Sequence, residues 1–207
     1  MRSLVQVHRH DPFSQTLTIF RMRAIPELHT ARLRLRPFVL TDAPSVRALA
    51  GLCEIADNTL SIPHPYPQGA AEEWIATHQA EWDAGEGLTL AITTTDGALV
   101  GCIGLTNIPR HQHAELGYWI APSSWGRGYA TEAGITVCAF GFYQMALHRI
   151  QARHFVRNGA SGRVMQKIGM QYEVALRDGV RKGDHFETIA LYAMLATDRG
   201  TLMYTDA

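Results

Sequence analysis

The stretch SSWGRGYATEA, residues 123–133, sets Gly126 and Gly128 two apart, between Trp125 and Tyr129, just ahead of a helix-forming run. Glycine loses more backbone entropy than any other residue and packs nothing. A pair of them there marks a place where the main chain turns sharply or comes very close to something. The first amides of a helix lack internal partners, and the helix dipole adds positive character. The amides of Gly126, Arg127, Gly128, Tyr129, Ala130 and Thr131 could therefore surround a phosphate or pyrophosphate. Ala130 is small enough to stay clear of the oxygens, and Arg127 could add charge at the rim. A tight strand-to-helix turn that binds nothing accounts for the same glycines equally well.

Two familiar phosphate motifs are excluded. A Walker loop needs Lys-Ser/Thr after its last glycine, and none is present. The dinucleotide fingerprint needs a third glycine where Thr131 stands, within a βαβ repeat that is not seen. His111 and His113 invite a metal reading, but a histidine pair on a loop with no carboxylate cluster beside it is more often solvated, so no metal is expected. His8 and His10 are read the same way. Cys102 lies on an expected strand with no activating base in view, which favours core packing over an acyl-carrying nucleophile.

The elements that must hold such a site follow from patterning. Arg32-Leu33-Arg34-Leu35-Arg36 alternates strictly and reads as a strand with one dry face. Thr41 and Asp42 offer a cap for a helix running to about Cys53, with Pro44 in its first turn. Pro63, Pro65 and Pro67 make IPHPYPQG a stiff loop. Trp74, His78 and Trp82 recur every fourth residue of a second helix, ended by Gly85 and Gly87. LTLAITTT and ALVGCIGLTNI form a hairpin across Asp96-Gly97, and AELGYWI is a third strand, closed by Ala121-Pro122. After the glycine turn and its helix come the strand HRIQARHFV, a short helix from Asn158 to Gly169, and two strands about a turn at Asp178-Gly179. The order β-α-α-β-β-β-α-β-α-β-β describes one mixed α+β domain. Its expected span is 30–207, with residues 1–29 as an extension or arm, in which Met22 is an alternative start.

Bulk properties agree with a folded, soluble chain of 207 residues, 46% hydrophobic and 18% charged. Nineteen basic residues balance nineteen acidic ones, which argues against a nucleic-acid or anionic-membrane surface. Three scattered cysteines, a poor signal sequence and the lack of a long apolar run point to a reducing, cytoplasmic location.

The runs AELGYWIAPSSWGRGYATEA and NGASGRVMQKIGM, in this order and spacing, resemble the GNAT superfamily of acetyl-CoA-dependent N-acetyltransferases, RimJ/RimL-like branch. ARLRLRPF resembles the opening strand of that branch, and IPHPYPQGAAEEWI its Pro-Tyr loop and second helix. The resemblance covers residues 28–196. It implies the GNAT fold, a central mixed, mostly antiparallel twisted sheet flanked by helices, and that the glycine turn holds the pyrophosphate of coenzyme A. The superfamily pattern has Gln or Arg where Trp125 stands, so one polar contact is missing.

The resemblance also implies that AELGYWI splays from the parallel strand HRIQARHFV, and that amides near Trp119, Ile120 and Ala121 hold the pantetheine arm. Glu115 is the candidate base for the amine proton, directly or through water. An unremarkable pairing of Glu115 with an arginine competes with that role, and for Glu132 a helix-end carboxylate is the better reading. Asn158 and Ser161, spaced i,i+3, would face the cofactor, Asn158 on the pantetheine and Ser161 near the sulfur. Many members place at position 165 a tyrosine that protonates the thiolate; Met165 cannot. His64, Tyr66 and Trp74 would form the acceptor wall.

The expected activity is transfer of an acetyl group from acetyl-CoA, as co-substrate, to a primary amine by direct attack in a ternary complex. The acceptor would be the N-terminal residue of a (ribosomal) protein, or alternatively a small molecule such as an amino sugar, polyamine or antibiotic. A non-catalytic acyl-CoA sensor is a third reading. A homodimer is the expected assembly, with the arm and the aromatic helix covering a second copy.

Overall fold

A computed structural model of the chain describes residues 24–108, 111–198 and 200. Its strands are β1 (Leu28–His29), β2 (Leu33–Arg36), β3 (Gly87–Thr94), β4 (Leu99–Ile108), β5 (His113–Ile120), β6 (Arg149–Phe155), β7 (Gln171–Lys182) and β8 (His185–Leu195). Its helices are α1 (Ala43–Ala50), α2 (Cys53–Asn58), α3 (Ala70–Asp83), α4 (Tyr129–Tyr143) and α5 (Gly159–Ile168). The strands form one sheet in the order β1-β2-β3-β4-β5-β6-β8-β7. Every pairing is antiparallel except β5 with β6. This is the mixed, mostly antiparallel sheet with flanking helices that the resemblance implies.

Period-2 alternation sends side chains to two cores. Leu33, Leu35, Leu90, Ile103, Leu105 and Ile150 pack with Val137 of α4 and Met165 of α5 on one face. Ala91, Cys102 and Trp119 turn to the other, against Val46, Ile55 and Ile75 of α1, α2 and α3. Among the described residues no helix is long and apolar enough to cross a membrane.

Three local expectations differ. The first helix stops at Ala50, and a separate short helix, α2, occupies Cys53–Asn58. Asp42 makes no side-chain cap on α1, because Arg36 takes both its oxygens at 2.7 and 2.8 Å. The turn between the last two strands lies at Gly183-Asp184; Asp178-Gly179 is an irregularity inside β7, where the register slips between Leu176 and Val180. In addition, the sheet begins at Leu28, whose side chain is buried and whose partner is Leu35, ahead of residue 30. Met22 and the rest of residues 1–23 lie outside the described residues.

The N-terminus of α4 is tied to the far edge of the sheet. Glu132, in the first turn of α4, accepts from Thr30 Oγ1, from the Arg32 amide at 3.0 Å and from Arg32 Nε at 2.8 Å. Arg32 Nη1 also donates to the carbonyl of Arg127 at 3.0 Å, and its guanidinium lies over the Tyr129 ring. The helix-end carboxylate is thus a clamp that fixes where α4 begins. Burial alone would raise the Glu132 carboxyl, but the hydrogen bonds from Thr30 and Arg32 outweigh it and hold the group below its ordinary 4.5. A carboxyl depressed on folding stabilises above its unfolded pKa, and that contribution is lost as pH falls through the folded value. Glu132→Gln is therefore expected to destabilise the protein by about 1 kcal/mol at neutral pH, since the group is partly exposed. In urea titrations the difference from the parent chain should shrink progressively below pH 4.5. A difference that stays constant into acid would show that the clamp is not ionic.

Candidate active site

The site starts with two strands that part. β5 and β6 pair in parallel only at His113–Arg149, Ala114–Ile150 and Glu115–Gln151. Beyond Glu115, β5 continues on β4 as far as Ile120 opposite Gly101, while β6 continues on β8 as far as Phe155 opposite Ile189. Each strand keeps one full partner and turns its other edge into the gap. In an antiparallel ladder successive residues point their amides to alternate sides. The Ala121 amide donates to the Val100 carbonyl at 2.8 Å, so the amides of Trp119 and Ala121 face β4. Those of Tyr118 and Ile120 face the gap. Of the three amides expected there, only Ile120's is so placed, and Tyr118's joins it.

Past Ala121 a short 3-10 turn, Pro122–Ser124, leads into the glycine pair. Gly126 and Gly128 have φ of +76° and +80°, the left-handed region that favours glycine, and Gly128 is the residue before α4. A Cβ on Gly126 would meet nothing within 4 Å, and one on Gly128 only the tip of Arg32 at 3.5 Å. The glycines are there for backbone conformation, and the space before them is open. Among the described residues none of the six amides from Gly126 to Thr131 donates to another protein group. All of these residues except Arg127 line the cleft. Trp125 serves the neighbouring edge instead, where its indole Nε1 donates to the Ile120 carbonyl at 2.6 Å and satisfies an acceptor beside the gap.

On the opposite wall α5 begins. Asn158 caps it, accepting from the Ser161 amide at 3.3 Å, and its side-chain NH2 has no partner among the described residues. The Ser161 hydroxyl lies 2.7 Å from the Tyr118 hydroxyl, which reaches across from β5. Burial pushes the Tyr118 phenol up to about 12, with the Ser161 contact pulling the other way. Met165 is 1% exposed and belongs to the core.

At the head of the gap Glu115 is held by Arg153, whose Nε and Nη2 both lie 2.9 Å from its Oε1, while Gln151 approaches the other oxygen at 3.4 Å. Beyond it, Val46, Ala50, Ile55, Ile62, Tyr66 and Trp74 line the cleft. His64 is not among the lining residues: its Nδ1 sits 2.8 Å from the Gly51 carbonyl and ties the proline loop to the end of α1. The end of α2 is gripped from the other side of the cleft. Arg157 donates to the Asp57 carbonyl and Lys182 Nζ to those of Ala56 and Thr59, at 2.8 and 2.7 Å, with the Phe155 ring beneath both cations. Burial pushes the Cys102 thiol up to about 12, as suits a core residue.

The cleft holds about 1440 Å³, room for a long cofactor arm and a second molecule together. Sequence reasoning overlooked Tyr118, Arg153, Arg163 and Lys167 on its walls. The i,i+4 spacing of Arg163 and Lys167 on a helix already known to start at the site was a usable signal. Tyr118 and Arg153 act across the gap and leave no local trace. The features together fit acetyl-CoA: unpaired amides and two cations for phosphates, an open strand edge for an amide-bearing arm, and hydroxyls where that arm would end.

Comparison with known proteins agrees. Residues 32–171 match the Acetyltransferase (GNAT) domain. The uncharacterized N-acetyltransferase YoaA of Bacillus subtilis (strain 168) is 34% identical over 159 residues, 73% of this chain and 86% of that one. The fold is shared with Mycobacterium smegmatis RimJ in complex with CoA-disulfide, at a TM-score of 0.72 and 24% identity over 82% of this chain and 85% of that one. It is shared also with spermidine N-acetyltransferase from Vibrio cholerae in complex with CoA and spermine, at 0.71 and 19% over 82% and 99%. A parted β5–β6 edge beside a helix that opens on unpaired amides, matched by a family that spans most of the described sheet, makes this chain a member of the GNAT acetyltransferases, enzymes that draw their acetyl group from acetyl-CoA.

Proposed function

We propose that the acceptor is the N-terminal amine of a protein, acetylated by direct attack in a ternary complex. One observation carries this choice. The acceptor end of the cleft is apolar and aromatic, and of its two carboxylates Glu115 is already paired with Arg153, leaving Glu54 at the rim. Arg157, on the same side, is itself paired with Glu187 and so offers no counter-charge either. A polyamine with several ammonium groups would find little complementary charge there, whereas a peptide end needs one amine slot and apolar walls.

In this reading the amides of residues 126–131, with Arg163 and Lys167, receive the pyrophosphate. The Tyr118 and Ile120 amides pair with the pantetheine arm, and the Asn158 side-chain NH2 donates to it. The amine nitrogen attacks the thioester carbon, and a backbone amide in the gap supports the oxyanion. The amine proton passes to Glu115, directly or through water, once Arg153 has loosened its hold. The C–S bond then breaks with its electron pair on sulfur, Ser161 donating a hydrogen bond to the departing thiolate, which takes its proton from solvent.

Release of free CoA thiol tests the acceptor. Peptides beginning with Ala or Ser should turn over at least about tenfold more efficiently, in kcat/KM, than spermidine or amino sugars, a margin of roughly 1.4 kcal/mol. Turnover on small amines alone would assign a small-molecule acceptor, and acetyl-CoA binding without any turnover would favour a sensor. For the donor side, Gly128→Arg fills the space before α4 and should weaken acetyl-CoA binding by about tenfold or more in calorimetry. Undiminished affinity in a folded variant would remove the phosphate role of the turn.

A further inference from the structure

Tyr118 stands at the point where the two parted strands and α5 come together. It lies three residues past the last β5–β6 pair, and its side chain leaves β5 on the face opposite Trp119. Among the described residues its hydroxyl has two hydrogen-bond partners, both on Ser161: the hydroxyl oxygen at 2.7 Å and the carbonyl oxygen at 3.2 Å. A phenol carries one proton, so two arrangements satisfy these distances. In the first, Tyr118 donates to the Ser161 carbonyl and Ser161 donates to Tyr118, leaving no free donor. In the second, Tyr118 donates to the Ser161 hydroxyl oxygen, and the serine proton is released to point into the cleft that both residues line. An electron-rich atom arriving in the gap gains a hydrogen bond from the second arrangement and none from the first.

We infer that Tyr118 is a positioning residue for the acetyl transfer: by donating to Ser161 Oγ it turns the serine hydroxyl into a fixed donor for the sulfur of acetyl-CoA as the C–S bond breaks. The inference rests on the acetyl-transfer reading and adds to it the group that arms Ser161. Two further observations and one general property of hydrogen bonds support it. The α5 residue Met165 is buried in the core and offers no donor. Burial keeps the phenol protonated across the working pH range, so it remains a donor while substrates come and go. The hydrogen bond also polarises the serine hydroxyl, strengthening what it gives to a developing thiolate. Atoms balance without a proton from Tyr118: the electron pair of the C–S bond stays on sulfur, the amine proton leaves toward Glu115 or water, and the phenol proton stays where it began.

Tyr118→Phe keeps the ring and removes the hydroxyl. With acetyl-CoA and a reactive amine, its kcat should fall roughly 10- to 100-fold, the range of a hydrogen bond to a charged atom, with KM for acetyl-CoA changed less than about threefold. Ser161→Ala should fall by a similar factor, and the double variant no further than either single one, because each removes the same donor. The acetyl selenoester of CoA has a leaving group that departs without help; on it, Tyr118→Phe should approach the parent protein within about threefold. A second readout needs no turnover. The ultraviolet absorbance of the thiolate of bound CoA, followed against pH, should show a higher thiol pKa in Tyr118→Phe than in the parent. Glu115, Arg153 and Arg163 line the same cleft in both proteins and cancel in that comparison. Equal losses on thioester and selenoester, an unmoved thiol titration, or a loss confined to KM would overturn the inference and leave Tyr118 as a brace between β5 and α5. A parent protein that releases no thiol with any amine would overturn the underlying reading and this one with it.

Discussion

The divergence of β5 from β6 is the constraint around which the molecule is arranged. A buried main chain must place its amides and carbonyls with partners. Two strands that separate in the middle of a sheet give up pairing just where water is scarce. The protein limits the loss by giving each strand an unbroken neighbour, β4 for β5 and β8 for β6. What remains is a narrow double edge with the amides of Tyr118 and Ile120 on one side. Trp125 covers the Ile120 carbonyl from outside. The rest is an open edge of the kind that an extended, amide-bearing molecule could complete.

Everything else sets the width and the ends of that gap. The sheet holds its head, through the three parallel pairs. At the glycine-turn end, α4 cannot drift, because Glu132 is fastened to Thr30 and Arg32 beside the opening strands. On the far wall, α5 is seated by its Asn158 cap and by the Tyr118–Ser161 contact across the opening. The helix that offers amides is thus referenced to β1 and β2, and the helix that offers hydroxyls to β5. Donor atoms from elements distant in sequence are held to one another by short, mostly charge-assisted bonds rather than by the apolar core alone.

How much of this could be read from the chain divides along sequence distance. Alternation of Leu33 and Leu35 with arginines, the Asp96-Gly97 turn and Gly169 behind α5 are local signals, and they predicted their elements correctly. Gly126 and Gly128 were legible too, since a positive φ restricts the residue type by itself. Errors arose where a distant residue overrode the local rule. Asp42 looked like a helix cap and is consumed by Arg36. Asp178-Gly179 looked like a turn and is absorbed by β7, whose register slips to accommodate it. The contacts Tyr118–Ser161, Arg153–Glu115 and Arg32–Glu132 span 43, 38 and 100 residues, and no spacing rule reaches that far. The stiff, aromatic proline loop puts His64 on the expected acceptor wall, but its ring turns back to Gly51.

The short helix α2 gives the two ends of the cleft different histories. A segment of six residues has little helical stability of its own, since nucleation alone outweighs what so few turns return. It persists because Ile55 and Ala56 are buried and because Arg157 and Lys182 hold its final carbonyls. This wall of the cleft is therefore a borrowed element, kept in shape by Lys182 of β7 and by Arg157 in the turn after β6. Replacing a few side chains there can reshape it without disturbing a single amide on the donor side. Under the proposed function the chain separates what must stay constant from what is free to vary, and new acceptors can be explored while the acetyl supply remains intact.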